Sequence, residues 1–173
     1  ENSGSLQGIA VSETSATGDI SNASGTKIVA TTGGVTMTAA GSITSGADVI
    51  SAQAVNMDAQ TDIQNSGALQ SDAAVTLKSG KSIDNSGAIN AKGAATLTAG
   101  TTLNNKSAVT SGGTATLTAV GALTNVGNIT AKDAVLLDSE DKLTNSGDIA
   151  SAEDSVTLDG KAGVENSGAL SGK

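Results

Sequence analysis

The residues of this chain that could carry chemistry are carboxylates. Asp133, Asp138, Glu140, Asp141 and Asp154 lie close together in the sequence, and a pair of such groups can act as general acid and base on a polysaccharide. The sequence has no His, Cys or Arg, which excludes most other acid–base and nucleophilic sites. It also has no aromatic residue on which a sugar ring could stack. We therefore predict a solvated acidic face without catalytic residues, with a polysaccharide-acting enzyme as the less favoured alternative.

Three further patterns approach known binding motifs but lack an essential feature. The segment SGKS (79–82) ends like a phosphate-binding loop, but Val75 stands where that loop requires its first glycine. The aspartates do not form the GGxGxD repeat of calcium-binding rolls, so only weak Ca²⁺ binding near 138–141 stays open. Paired threonines would suit an ice-binding face, but Asp58 and Lys78 interrupt the array. We predict no cofactor and no dedicated metal site.

Composition and charge narrow the class of protein further. The net charge is −8 and all nine basic residues are lysines, whereas nucleic-acid binding needs clustered positive charge. Aliphatic residues are plentiful and regularly placed, which is not typical of disorder. No apolar run approaches the length of a membrane-spanning helix. We predict an ordered protein with an aromatic-free core that neither binds nucleic acid nor inserts into a membrane.

The elements that would position these side chains follow from an internal repeat. An asparagine recurs every 20 residues four times and then after 21, and aliphatic residues recur at the same interval in columns that contain no charge. The asparagines are Asn65, Asn85, Asn105, Asn125, Asn145 and Asn166. The central aliphatic columns are Leu69, Ile89, Val109, Ile129, Ile149; Leu77, Leu97, Leu117, Leu137, Leu158; and Ile63, Ile83, Leu103, Leu123, Leu143.

Within each repeat, apolar and polar residues alternate over three to five positions, which is typical of strands. A fixed short period with Gly and Asn between strands predicts an all-β fold, a parallel β-helix with about eight coils of roughly 20 residues and three short strands each. The handedness bias of parallel crossovers favours a right-handed coil. We predict one domain over 1–173, with less regular coils in 1–50 and regular repeats in 51–173.

The corners between strands carry their own predictions. Stacked asparagines are expected to hydrogen-bond from coil to coil. The glycines two positions later are expected to adopt the positive φ of a sharp turn; they are Gly67, Gly87, Gly127, Gly147 and Gly168. Lys106 and Ser107 replace the usual Ser-Gly, so a less regular corner is expected there. The additional residue near Glu153–Asp154 is expected to bulge outward.

The repeat NSGAI-x-A-x-x-A-x-T-L-x-A-G-x-x-L resembles the repeats of filamentous haemagglutinins, which are large two-partner-secreted exoproteins that include adhesins and contact-dependent growth inhibition proteins. The resemblance covers about residues 20–170. It implies the shaft of a secreted filament on a bacterial cell surface, of which this chain would be an excised segment. Expected partners are neighbouring coils, an outer-membrane transporter during export, and a host or target-cell receptor. A receptor- or glycan-binding module stays open as an alternative.

Overall fold

The structure is a computed structural model that describes residues 1–173, and its regular elements are all strands. None of its segments is a helix long and apolar enough to cross a membrane. In chain order the strands are β1 (Leu6–Gly8), β2 (Val11–Ser15), β3 (Ile20–Asn22), β4 (Lys27–Ala30), β5 (Val35–Ala39), β6 (Ile43–Ser45), β7 (Asp48–Ser51), β8 (Val55–Ala59), β9 (Ile63–Asn65), β10 (Leu69–Ser71), β11 (Val75–Ser79), β12 (Ile83–Asn85), β13 (Ile89–Ala91), β14 (Ala95–Ala99), β15 (Leu103–Asn105), β16 (Val109–Ser111), β17 (Ala115–Ala119), β18 (Leu123–Asn125), β19 (Ile129–Ala131), β20 (Val135–Ser139), β21 (Leu143–Asn145), β22 (Ile149–Ser151), β23 (Val156–Gly160), β24 (Val164–Asn166) and β25 (Leu170–Ser171).

Every third strand belongs to the same parallel sheet. Sheet I runs from β1 through β4 and β7 to β25, sheet II from β2 through β5 to β23, and sheet III from β3 through β6 to β24. Each strand pairs with its equivalent in the next coil, as where Leu77 lies opposite Leu97. The prediction of a right-handed parallel β-helix with three strands per coil is therefore confirmed.

The period-2 alternation of the sequence places the aliphatic columns inside the coil. Strand β11 (VTLKS) buries Val75, Leu77 and Ser79 and turns Thr76 and Lys78 outward. Thirty-four buried apolar residues form one continuous cluster along the axis. Burial of each Val, Leu or Ile contributes about 1.5–3 kcal/mol, so the stacked columns supply the main driving force for folding.

The structure places the aliphatic columns named above inside this cluster, with one exception. Leu158 lies in the last complete coil and is only half-buried, although it packs against the cluster. The same register extends the columns toward the N-terminus, where Leu6, Ile28 and Val49 lie opposite one another in turn. The sheet I column is therefore aliphatic from the first coil to the last.

Insertions in the repeat are absorbed at corners. The turn after Asn22 is two residues longer than its equivalent in the next coil, and Gly25 in it has φ +79°. The other glycine with positive φ, Gly163 at +123°, lies in the turn after β23, which has the usual length. The additional residue near Glu153 and Asp154 lies in an exposed corner between β22 and β23, as predicted. Insertions at these positions leave the pairing of the flanking strands in register.

Two predictions about the corners are wrong. The glycines two positions after each asparagine do not have positive φ, because Gly25 and Gly163 are the only residues of the chain that do. The corner at Lys106–Ser107 is as regular as its neighbours, since Asn105 Nδ2 donates to the Ser107 carbonyl at 2.8 Å just as Asn125 Nδ2 donates to that of Gly127. Strands β15 and β16 also keep the usual three residues.

Candidate functional site

The most distinctive polar feature of the interior is a row of asparagine side chains, which we call the asparagine ladder. Each stands at the last position of a sheet III strand and points inward. Asn65 Nδ2 donates to Asn85 Oδ1 at 2.8 Å, and the same bond joins each following pair at 2.7–2.9 Å. The members are Asn65, Asn85, Asn105, Asn125, Asn145 and Asn166, and all except Asn166 are buried.

Each buried member of the ladder donates both hydrogens of its amide nitrogen. The second hydrogen of Asn85 Nδ2 is donated to the carbonyl of Gly87 at 2.9 Å, within the same corner. Buried polar groups are normally paired, and from Asn85 to Asn145 every side-chain nitrogen donates and every side-chain oxygen accepts. Each member from Asn65 to Asn145 donates toward the C-terminal coil, so the bonds polarise one another in the same direction. The ladder therefore links consecutive coils and closes each corner.

The corner glycines are explained by the close approach of the preceding coil rather than by a special φ, although Ser107 occupies the same position in one corner. A Cβ placed on Gly87 would collide with the carbonyl oxygen of Gly67, and that oxygen is the acceptor of Asn65 Nδ2. Gly147 faces the Gly127 carbonyl in the same way. The glycine thus leaves room for a carbonyl from the preceding coil. The φ prediction is wrong because the position favours glycine for its small size and not for its backbone conformation.

The ladder does not extend into the N-terminal coils. Ser45 lies opposite Asn65 in the register of sheet III and interrupts the row. Before it, Asn22 accepts a hydrogen bond from Asn2 Nδ2 at 3.0 Å and donates to Glu13 Oε2 at 2.7 Å. Ser45 Oγ and Asn65 Oδ1 are both buried, and neither has a hydrogen-bond partner.

Glu13 is a charged residue that sequence reasoning missed. It lies opposite Met37 in sheet II, and it is therefore the first member of an otherwise apolar column. The side chain is half-buried, and Asn22 Nδ2 donates to its carboxylate. The irregular spacing of the first coil concealed this alignment, because Glu13 precedes Met37 by 24 residues rather than 20.

A second set of buried polar residues was also missed. Serines end several strands of sheets I and II and bind the corner that follows. Ser71 Oγ donates to the Gln53 carbonyl of the previous coil at 2.7 Å and accepts from the Ala73 amide at 3.0 Å. Ser51, Ser79, Ser111, Ser139 and Ser151 make equivalent bonds. Their signal in the sequence is two columns that contain only Ser and Ala, one from residue 30 to 151 in sheet I and one from residue 39 to 139 in sheet II.

The surface carboxylates do not converge on one point. Asp133 lies in the corner before β20, whereas Glu140 and Asp141 lie in the corner after it. A five-residue strand separates the two corners by roughly 17 Å. The chain contains no group of three or more ligand side chains arranged to hold a metal ion.

One lysine stands among the acidic residues of the last coils. Asp138 lies opposite Asp159 in sheet II, and Lys161 Nζ is 2.7 Å from Asp159 Oδ2. The hydrogen bond and the negative charge of Asp159 raise the pKa of Lys161 above its ordinary value, and Asp138 and Glu140 add to the effect. Exposed pairs of this kind contribute little to stability.

The outer face of sheet III carries two polar clefts beside the asparagine corner. One, of about 230 Å³, is lined by Gln64, Asp84 and Lys106, among other polar residues. The ion pair between Lys106 Nζ and Asp84 Oδ2 at 2.6 Å spans successive coils there. The other, of about 260 Å³, is lined by Thr144, Glu165 and nearby residues of the last coils. Both clefts are open to solvent and no hydrophobic residue lines either of them.

Comparison with known proteins agrees with this architecture. The family model described as Haemagglutinin repeat matches residues 15–67 and 55–150, which together make up more than half of the chain. The chain matches no curated protein and no solved structure.

Proposed function

We propose that this chain, which belongs to the haemagglutinin repeat family, is a non-catalytic shaft segment of a secreted bacterial surface filament. Its role is mechanical: it provides reach and stiffness so that a distant part of the filament can adhere to or act on another cell. Both the haemagglutinin repeat and the β-solenoid fold fit a structural shaft of the adhesin type. The use of that shaft for adhesion or for contact-dependent delivery is part of the proposal.

The observation that carries the proposal is the contrast between a constant interior and a variable exterior. Every strand of the regular coils repeats the same inward residue classes in register, as at Leu97, Leu117 and Leu137. The outward residue beside this column changes from Asp58 to Lys78 to Thr98. A structural rod needs uniform inter-coil pairing and tolerates such variation, whereas a dedicated binding face would need specific outward residues.

The same architecture supports export through an outer-membrane transporter. The chain has no cysteine, so no disulfide has to be reduced before threading. Each coil pairs only with its neighbours, and a solenoid of this kind can fold progressively as it emerges. We propose that the transporter is a partner during export and that the mature segment lies on the outside of the cell.

Single-molecule force spectroscopy tests the mechanical role. A shaft should resist pulling and then lose one or more whole coils at a time, and each released coil should add roughly 70 Å of contour length. Extension without discrete steps at low force would show that the coils do not hold load and would contradict the proposal.

A receptor- or glycan-binding module is the second candidate, because the two clefts on sheet III are lined by hydroxyl, amide and charged groups. Titration of the chain against host or target cells separates the two functions. A passive shaft gives no saturable binding. Saturable binding that is lost in the double variant D84A/K106A and kept in D72A/K92A, which removes an equivalent ion pair elsewhere, would favour the module.

A further inference from the structure

The point where the asparagine ladder stops contains buried polar atoms without partners. Ser45 is 0% exposed and Asn65 is 1% exposed. Ser45 Oγ and Asn65 Oδ1 each lack a hydrogen-bond partner, although the two residues lie directly opposite each other in adjacent strands. Leaving such groups unpaired in the interior costs about 1–3 kcal/mol each, so a hydrogen-bond partner is expected at this position.

The regular coils show what is missing at this position. In each of them the amide nitrogen of the asparagine makes two donations: one to the asparagine of the next coil and one to the carbonyl two residues further along the chain. A serine hydroxyl has no second donor and ends one atom closer to the backbone. As a result, Asn65 Oδ1 and the carbonyl of Ala47 lack the donor that the regular coils provide.

The carbonyl of Ala47 faces the same space as Asn65. A Cβ on Gly67 would collide with the Ala47 oxygen, just as one on Gly87 would collide with the Gly67 oxygen that accepts from Asn65 Nδ2. The Ala47 carbonyl is therefore oriented like the carbonyls that accept from the ladder. Three oxygen atoms, from Ser45, Ala47 and Asn65, surround the position that an asparagine nitrogen occupies in the other coils.

We propose that Ser45, Ala47 and Asn65 form a buried binding site for a single water molecule that replaces the amide nitrogen. The water donates its two hydrogens to Asn65 Oδ1 and to the Ala47 carbonyl, and it accepts the hydroxyl hydrogen of Ser45. This arrangement gives it three hydrogen bonds, the usual number for a buried water in a protein. The water extends the ladder by one coil, from Asn65 to Ser45.

Water-oxygen-17 relaxation dispersion, which counts water molecules held longer than the tumbling time of the protein, tests this site. The variant S45N supplies the missing amide and should displace the water, so its count should be one lower than that of the wild-type chain. The variant S66N is the matched control, because Ser66 follows Asn65 in the corner of the next coil but is exposed, and its count should equal that of the wild type. Equal counts in S45N and the wild type would overturn the proposal.

A high-resolution crystal structure of the wild-type chain tests the water site independently, even if S45N does not fold. The proposal expects a density peak within about 2.5–3.0 Å of Ser45 Oγ, Asn65 Oδ1 and the Ala47 carbonyl oxygen. Coordination by more than these three atoms at about 2.3–2.6 Å would identify a cation instead and contradict the water assignment. Absence of any peak there would contradict it as well.

Discussion

The first coils and the regular coils share one interior but differ in how they use it. Aliphatic columns run through both regions, from Leu6 and Ile28 to Ile149. The asparagine ladder is continuous only from Asn65 onward. Ahead of it, Ser45 interrupts the row, and Asn22 is bonded to a half-buried glutamate.

The difference separates two kinds of interaction. Hydrophobic burial is non-directional, so Val, Ile, Leu and Met can replace one another in a column with little loss. Side-chain hydrogen bonds are directional and need the same residue at the same position in every coil. The aliphatic columns therefore maintain the coil in both regions. The asparagine ladder adds stability only in the regular coils, where every repeat has an asparagine at the same position.

The largest expected effect comes from placing a charge in a column of the regular coils. Leu97 is fully buried, and L97D should lower the free energy of unfolding by on the order of 5 kcal/mol, because apolar contact is lost and a carboxylate is buried without a partner. Urea denaturation measures this change.

The matched control is T98D, since Thr98 follows Leu97 on the exposed face opposite Lys78. It should change stability by less than about 0.5 kcal/mol. The first coil tolerates Glu13 in a column because that side chain is only half-buried and accepts from Asn22. A similarly small effect for L97D would mean that Leu97 does not point inward.

Removal of one ladder member tests whether the two regions differ in hydrogen bonding. Asn105 donates to Asn125 at 2.7 Å and to the Ser107 carbonyl at 2.8 Å. N105A leaves several buried groups unpaired and should cost about 2–4 kcal/mol. S45A, at the equivalent position of the irregular region, should cost less than about 1 kcal/mol because Ser45 Oγ has no protein partner. Equal losses of unfolding free energy in N105A and S45A, measured by thermal or urea unfolding, would show that the two regions do not differ in hydrogen bonding.

The corner glycine is expected to have an intermediate effect. G87A brings a methyl group against the carbonyl of Gly67, and overpacking of this kind should cost about 1–3 kcal/mol. S107G restores the common residue at the equivalent corner and should cost less than about 1 kcal/mol. Chemical denaturation of both variants provides the measurement. A neutral G87A would show that the coils can separate at this corner without loss.

Extension of the ladder into the irregular region should stabilise the protein. S45N can donate to Asn65 Oδ1 and to the Ala47 carbonyl in place of the proposed water, and release of that water should stabilise the protein by about 1 kcal/mol. The midpoint of urea unfolding should rise accordingly with an unchanged m-value. A lower midpoint would show that the first coils exclude the longer side chain and that the break is a steric requirement.

The smallest effect is expected for the exposed ion pair of Lys161 and Asp159. Their interaction raises the pKa of Lys161, so D159N should return that pKa toward its ordinary value, as nuclear magnetic resonance titration of the lysine can measure. Because the folded-state pKa is the higher one, the associated stabilisation is complete below the ordinary pKa. It is lost as the pH rises through the raised pKa. An unchanged lysine pKa in D159N would show that Asp159 is not the main cause.

The sequence was sufficient to predict the coil and the ladder positions because both depend on a period. The 20-residue spacing can be read directly from the sequence, both in the aliphatic column of Leu77, Leu97 and Leu117 and in the asparagines. Residues one period apart lie opposite each other in neighbouring parallel strands, so the spacing also predicts the register. The wrong φ prediction for Gly87 had a different origin. It assigned a local cause to a residue whose environment is set by the Gly67 carbonyl one coil away.

The remaining misses also concern contacts between coils. Ser71 looks like an ordinary strand residue until the Gln53 carbonyl of the preceding coil is placed beside it. Glu13 could not be assigned to the column of Met37, because the spacing in the first coil departs from the period that defined the column. Residues cannot be assigned to columns from their spacing where the length of the repeat changes. A single sequence also does not show which polar atoms of neighbouring coils are in contact.

The central claim is that equivalent residues of successive coils lie one above another along a single axis. Because the chain has no cysteine, paired spin labels can be introduced at outward positions of sheet II, with Thr38 as the common partner of Thr118, Asp138 and Asp159. Electron–electron resonance distances should increase by about 4.8 Å with each additional coil, giving roughly 19, 24 and 29 Å between the backbone positions. Distances that do not grow linearly from Thr118 to Asp159 would contradict the stacked coil and every conclusion that depends on it.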